Sequence, residues 1–295
     1  METINQQLGF LEPGQDEKSM QKSGLFADWY DMVANAKAGA IDKKTQHYSF
    51  VCDGIMLKRC DDKSKMDVNA DKEWNDSPKR VVFLIKDQNQ KGCSWIEDTR
   101  KWLVNRDDNW NVSSRFLRNL ANALWGISKS SKDFLPTADC VQNQDVIIKV
   151  IKCFRETPFA FVECKKQGGI QSISNKELSY YLQNHEEAGL YYKKMLYKEL
   201  DILNANIYVC TNSLIYKFVQ EYIKHNYPNT DLTPIKSIKK DGEFEASVMI
   251  HQPSKSVILC SYHPSARMGY KRYYDGVVTH YQAFVQSEYY SQFFK

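Results

Sequence analysis

The stretch Val257-Ile258-Leu259-Cys260-Ser261-Tyr262-His263-Pro264-Ser265-Ala266-Arg267 decides how the fold is read. Its first four residues are apolar without interruption, and a short apolar run bounded by polar residues reads as a buried strand. That strand delivers a histidine, a rigid proline and a hydroxyl to one rim of a sheet, with an arginine two residues beyond the serine. In open parallel α/β sheets, ligands bind outside the carboxyl ends of the strands. The segment therefore reads as the wall of a site suited to a phosphate-bearing ligand. A histidine after a strand is often only structural, so its weight depends on what the other strand ends carry.

Three further segments have the same character: Val81 to Ile85, Phe159 to Val162, and Ile207 to Cys210. Helical patterns separate them. Phe116, Leu117, Leu120, Leu124 and Ile127 form one apolar face, and Ile215, Phe218, Val219 and Ile223 form another. Ser174-Asn175-Lys176-Glu177 has the spacing of a capping box, in which serine and glutamate satisfy each other's backbone N–H groups. Strands alternating with helices predict a three-layer α/β/α domain with a central, mostly parallel, four-stranded sheet. We expect it to occupy residues 81–295. Residues 1–80 read as a helical or extended segment packing on that core. Phe26, Trp29, Tyr30 and Val33 recur at helical spacing there, with Gly39 as a stop. Residues 1–22 read as loosely held, Tyr48 to Cys52 as a short strand, and Lys58 to Arg80 as a solvated loop.

Composition narrows the function. A 295-residue chain with 18 Tyr and 14 Phe buries a sizeable core, and a formal net charge of +4 permits contact with nucleic acid without demanding it. The apolar runs are too short to span a bilayer, and the first residues lack a secretory pattern. The 8 cysteines form no C-x-x-C pair. These features predict reduced thiols, a cytoplasmic setting, a monomer and no membrane association. His185, His251 and His280 have no ligand spacing and read as structural or surface residues. No cofactor or metal motif is present in the sequence, so neither is expected.

The four strand ends carry Lys86-Asp87-Gln88-Asn89, Glu163-Cys164-Lys165-Lys166-Gln167-Gly168-Gly169, Thr211-Asn212-Ser213 and His263-Pro264-Ser265-Ala266-Arg267. Parallel strands would bring Asp87, Glu163 and His263 to one edge. Residues of these types position water and stabilise developing charge.

In order and spacing, these segments resemble the uracil-DNA glycosylase superfamily over roughly residues 81–290. Asp87 matches the aspartate of that family's first motif. Ser113-Ser114-Arg115-Phe116-Leu117-Arg118-Asn119-Leu120 resembles the helix that opens with a Ser-Leu-Lys-Asn-Ile-like sequence. His263-Pro264-Ser265 matches the family's His-Pro-Ser. The resemblance implies DNA, RNA or a free nucleobase or nucleotide as partner, extrusion of the base, and hydrolysis of its N-glycosidic bond. It implies that His263 stabilises the departing base and that Asp87 positions water or stabilises the cationic sugar. Glu163 would contact the base edge, with Asn89 and Trp95 as further base contacts. Ser114, Arg115, Arg118, Lys165, Lys166, Ser265, Arg267, Lys271 and Arg272 would contact the nucleic acid. Tyr270, Tyr273 and Tyr274, interleaved with Lys271 and Arg272, suit base stacking.

Two departures bear on activity. Where uracil readers carry asparagine, this chain carries Glu163, and an ionised carboxylate accepts hydrogen bonds without donating. The first motif also lacks the family's glycine and proline around Asp87. We therefore expect a base preference other than uracil. The alternative is a non-catalytic nucleic-acid- or nucleobase-binding module on the same fold.

Overall fold

All four expected strands form, and three more join them. The computed structural model describes residues 17–35, 50–56, 70–89, 96–102, 114–169, 173–235 and 248–294. Its strands are β1 (Phe50–Cys52), β2 (Gly54–Ile55), β3 (Val81–Asn89), β4 (Ile96–Asp98), β5 (Phe159–Gly169), β6 (Ile207–Cys210), β7 (Thr233–Ile235), β8 (Val248–His251) and β9 (Ser256–Cys260). A seven-stranded sheet runs β2-β5-β3-β6-β9-β8-β7, and β1 pairs with β4 in a separate parallel ribbon. The chain is thus α/β, but the sheet is mixed. β6 and β9 are parallel, whereas β2 against β5, β8 against β9 and β7 against β8 are antiparallel. The added strands were illegible for a physical reason. β2 is two residues long, and β7 contains Pro234, which a strand tolerates only at a sheet edge or similar position because it lacks an N–H.

The chain forms two compact units, one of residues 1–76, 84–105 and 160–204, the other of residues 77–83, 106–159 and 205–295. The division runs through β3.

In the first unit, helix α1 (Glu17–Ala34) packs on helix α6 (Tyr192–Leu203). Phe26, Trp29 and Val33 are buried as their spacing predicts, and Phe26 and Trp29 meet Phe50 edge-to-face at 5.9 and 6.2 Å. Burying each such side chain contributes on the order of 1.5–3 kcal/mol. Helix α1 begins at Glu17, so residues 17–22 are helical rather than loose, and Gly39 lies outside the described residues. Part of the expected loop is helix α2 (Ala70–Asp76). Trp74 anchors it, fully buried, donating its Nε1–H to the carbonyl of Leu203 at 2.7 Å. The capping box opens helix α5 (Asn175–Tyr181): the Ser174 N–H donates to Glu177 Oε2 at 2.6 Å, and the Glu177 N–H to Ser174 Oγ at 3.2 Å.

In the second unit, helix α3 (Arg115–Lys129) lies beside α4 (Gln144–Glu156), and α7 (Ser213–Asn226) follows β6. The carboxyl end of α3 is capped by Lys79, whose ammonium donates to the carbonyls of Ile127, Ser128 and Ser130 at 3.0, 3.3 and 2.7 Å. A cation suits the negative end of a helix dipole. Burial, then the charge of Lys129, pushes the Lys79 pKa down to about 8. The start of β3 is fixed by Asn206, which accepts from the Arg80 N–H and donates to the Pro78 carbonyl, both at 2.8 Å. Helices α8 (Tyr270–Tyr274), α9 (His280–Val285) and α10 (Tyr290–Phe293) complete the unit.

Candidate functional site

The carboxyl end of β9 leads into the His263 turn. The Ala266 N–H closes it onto the His263 carbonyl at 2.9 Å. The Ser265 backbone N–H points at His263 Nδ1, 3.2 Å away, and the Ser265 hydroxyl lies 2.7 Å from the same nitrogen. A backbone N–H can only donate, so Nδ1 is an acceptor and the neutral ring carries its proton on Nε2. The His-Pro-Ser spacing thus fixes the tautomer of the histidine. From the other side, the Asn119 amide donates to the Pro264 carbonyl at 2.6 Å, and the Phe116 ring lies 5.9 Å from the imidazole.

Both Asn119 and Phe116 come from the first turns of α3. Ser114 caps that helix, its hydroxyl accepting the Leu117 N–H at 3.2 Å. The first turn holds no acidic residue and carries Arg115 and Arg118, both exposed. A helix amino terminus with added arginines attracts anions. Arg267 and Ser265 are exposed on the His263 turn. Beyond it, the Arg272 guanidinium lies over the Tyr262 ring at 5.9 Å, and Lys271 pairs with exposed Asp139 at 3.3 Å. The second unit therefore carries Ser114, Arg115 and Arg118 at the start of α3, and His263, Ser265 and Arg267 on the turn that Asn119 ties to that helix, with Arg272 on the helix that follows the turn. Tyr273 and Tyr274 depart from expectation. They are buried, with the Tyr274 hydroxyl donating to the Pro136 carbonyl at 3.0 Å, so they offer no face to a base.

Asn119 was missed by sequence reasoning as a contributor. The sequence signal was a polar residue set among Leu117, Leu120 and Leu124 at helical spacing; in the structure it is only 2 % exposed.

The first unit holds a different arrangement. β5 continues six residues beyond Glu163, so this residue lies within the strand rather than at its end. Lys165 and Lys166 are buried rather than on a surface turn. Lys166 is fully enclosed, donating to Asp53 Oδ2 and Oδ1 at 2.6 and 2.7 Å and pairing with Glu199 Oε2 at 2.8 Å. Trp29 and Phe26 lie under it at 5.4 and 5.5 Å. Burial opposes the ammonium, but Asp53 and Glu199 outweigh it and hold the Lys166 pKa above its ordinary value. An ammonium so enclosed is not a phosphate contact, and Lys165 instead lies over the Tyr181 ring at 5.3 Å. Asp53 Oδ2 also accepts the Glu163 N–H at 2.6 Å. Glu163 is fully buried, and Gln167, four residues along β5, has both amide atoms buried without a hydrogen-bond partner among the described residues.

β3 runs to Asn89, so Asp87 and Asn89 lie on a strand rather than in a loop after it. Their side chains, and all of Trp95, lie outside the described residues. Of the other histidines, His251 is enclosed by Thr230 and Ser254, each 2.6 Å from a ring nitrogen, and burial lowers its pKa. His280 is buried, its pKa also lowered by burial against the pull of Asp275. His185 stacks on Tyr180 at 3.7 Å. Among the described residues, no helix is long and apolar enough to cross a membrane. Compared with known proteins, the chain matches no family model, no curated protein and no solved structure.

Proposed function

We propose that the protein is a divergent relative of the uracil-DNA glycosylases that binds nucleic acid, extrudes a base and hydrolyses its N-glycosidic bond, with a preference other than uracil. The observation that carries this reading is the His263 turn. Two contacts from Ser265 make Nδ1 an acceptor, which gives the neutral imidazole an Nε2–H to donate. A donor held in place before reaction stabilises the negative charge that a leaving base acquires. The cationic start of α3 beside it suits a phosphate backbone.

In the proposed reaction, water adds to the anomeric carbon as the bond to the base nitrogen breaks. The electron pair leaves with the base, which accepts a hydrogen bond from His263 Nε2. The attacking water loses a proton and the departing base anion takes one up, so the net change is hydrolysis.

A nucleic-acid-binding module without chemistry is the second reading. The full burial of Glu163, with its backbone N–H tied to Asp53, favours it.

The test incubates duplex and single-stranded oligonucleotides bearing different bases with the protein, then cleaves abasic sites with alkali. We expect release of a base other than uracil. His263→Ala should cost about 2–4 kcal/mol in barrier. Robust uracil release by the natural chain overturns the specificity. Binding without release of any base selects the second reading.

A further inference from the structure

We infer that His251 is a pH-sensitive latch that holds the β7–β8 edge of the sheet closed at neutral pH and releases it in acid. The imidazole has no exposed surface, and both of its nitrogens are engaged. The Ser254 backbone N–H points at Nδ1 from 3.3 Å, so Nδ1 is the acceptor and the neutral ring carries its proton on Nε2. That Nε2–H donates to Thr230 Oγ1 at 2.6 Å, and the Thr230 hydroxyl donates in turn to the Tyr227 carbonyl at 3.0 Å. The Ser254 hydroxyl lies 2.6 Å from Nδ1 and donates to Ser256 Oγ at 2.8 Å, and the Tyr227 ring lies 4.8 Å from the imidazole. One side chain thus joins the end of β8, the turn into β9 and the linker between α7 and β7.

Protonation breaks this arrangement at one atom. A second ring proton sits on Nδ1, which then cannot accept and meets the Ser254 N–H donor to donor. The chargeable groups of the surrounding elements are Lys217, Glu221, Lys224 and His225 on α7, which packs on β9, Tyr227 and Asp231 in the linker, Lys255 in the turn, and His280 and Tyr281 on α9, which packs on β8. Burial is what moves the His251 pKa, and it moves it down. The parts that His251 joins are weakly held otherwise. β7 is three residues long and contains Pro234, which offers no N–H to the sheet. Lys255 has a φ of 51°, in the left-handed region that a Cβ disfavours. Once open, the histidine titrates near its ordinary value of 6.5; closed, it titrates below that. The contribution of the latch is therefore complete above pH 6.5 and is lost as pH falls towards the folded value. One proton taken up on opening makes opening about tenfold easier per pH unit across that window.

Hydrogen–deuterium exchange of the full chain, followed by mass spectrometry from about pH 8 to about pH 5 and corrected for the intrinsic exchange rate, tests this without any substrate. We expect the protection of residues 227–235 and 248–256 to fall by about tenfold per pH unit below the ordinary histidine value, while β6 keeps its protection. His251→Gln keeps a donor for Thr230 and cannot titrate, so it should make the protection of both segments independent of pH. Ring-carbon NMR of the natural chain supplies a second readout should that variant fail to fold: His251 should titrate below 6.5. Protection unchanged down to about pH 5, or lost in step with β6, overturns the latch. So does a pH dependence that persists in His251→Gln, or a His251 that titrates at or above its ordinary value.

Discussion

The side-chain amide of Asn119 donates to the carbonyl of Pro264 at 2.6 Å, across 145 positions of sequence. This bond ties the amino-terminal turns of α3 to the His263 turn, so the arginines of one and the imidazole of the other share a rigid frame. Both partners are buried, which makes the bond costly to break from one side. Asn119→Ala should destabilise the protein by about 1–3 kcal/mol. It should also lower activity or binding at the His263 turn by more than the unfolded fraction accounts for. Urea denaturation beside the oligonucleotide assay checks this, and an unchanged midpoint contradicts it.

Binding to nucleic acid should weaken steeply with salt, because each neutralised phosphate releases counterion. Arg115→Glu and Arg267→Glu should each lower affinity and reduce the slope of log affinity against log salt by about 1. Lys166→Gln should leave the slope unchanged in whatever fraction folds, since Lys166 is enclosed by Asp53 and Glu199. Fluorescence anisotropy at several salt concentrations separates these outcomes.

Lys166→Met removes the only cation from a fully buried triad and strands the carboxylates of Asp53 and Glu199 in the first unit. Breaking a buried pair by removing one partner costs about 3–5 kcal/mol. The expected outcome is a large loss in the denaturation midpoint or failure to fold. A midpoint shifted by less than about 1 kcal/mol would show that the triad contributes little.

Gly126 sits inside α3, where alanine is ordinarily better by about 1 kcal/mol. Here a Cβ would lie 2.6 Å from Val278 Cγ2 and 2.7 Å from the Tyr274 hydroxyl. Overpacking costs typically 1–3 kcal/mol, so Gly126→Ala should destabilise despite its helix propensity. A thermal melt decides the sign.

Alkali should unfold the protein cooperatively. Burial raises the pKa of Tyr192, Tyr273 and Tyr281 above their ordinary value of 10.0, and Asp53 and Glu199, against burial, raise Lys166 above 10.5. Groups raised on folding contribute stability that is fully present below the unfolded pKa. That stability is lost as pH rises, because the unfolded chain sheds its protons first. The loss should begin near pH 10, with tyrosinate absorbance and loss of helical circular dichroism rising together. Tyrosines that all titrate at the ordinary value while the helices persist would contradict it.

Much of the frame was legible without coordinates. β3, β5, β6 and β9 announced themselves as unbroken apolar runs, because strands covered on both faces have no polar side to show. α1, α3 and α7 showed their buried flanks at helical spacing, and Ser174 with Glu177 spelled out a local capping pair. Each is a short-range pattern, and short-range patterns are what one sequence records. β2 and β7 were too short, and Trp74 too isolated, to form one.

Sequence alone determined that His263 follows a buried strand with Ser265 two residues on; the two Ser265 contacts that make Nδ1 the acceptor came only with the structure. Only the tertiary structure decided that Lys166 is a core residue rather than a surface cation, and that Asn119 ties α3 to the His263 turn. Lys166 is held by Asp53 and Glu199, 113 residues before it and 33 after it. Asn119 has found its partner at Pro264. Burial and pairing depend on which distant groups the fold brings within about 3 Å. That distance is a property of the packed chain, not of the order of its residues.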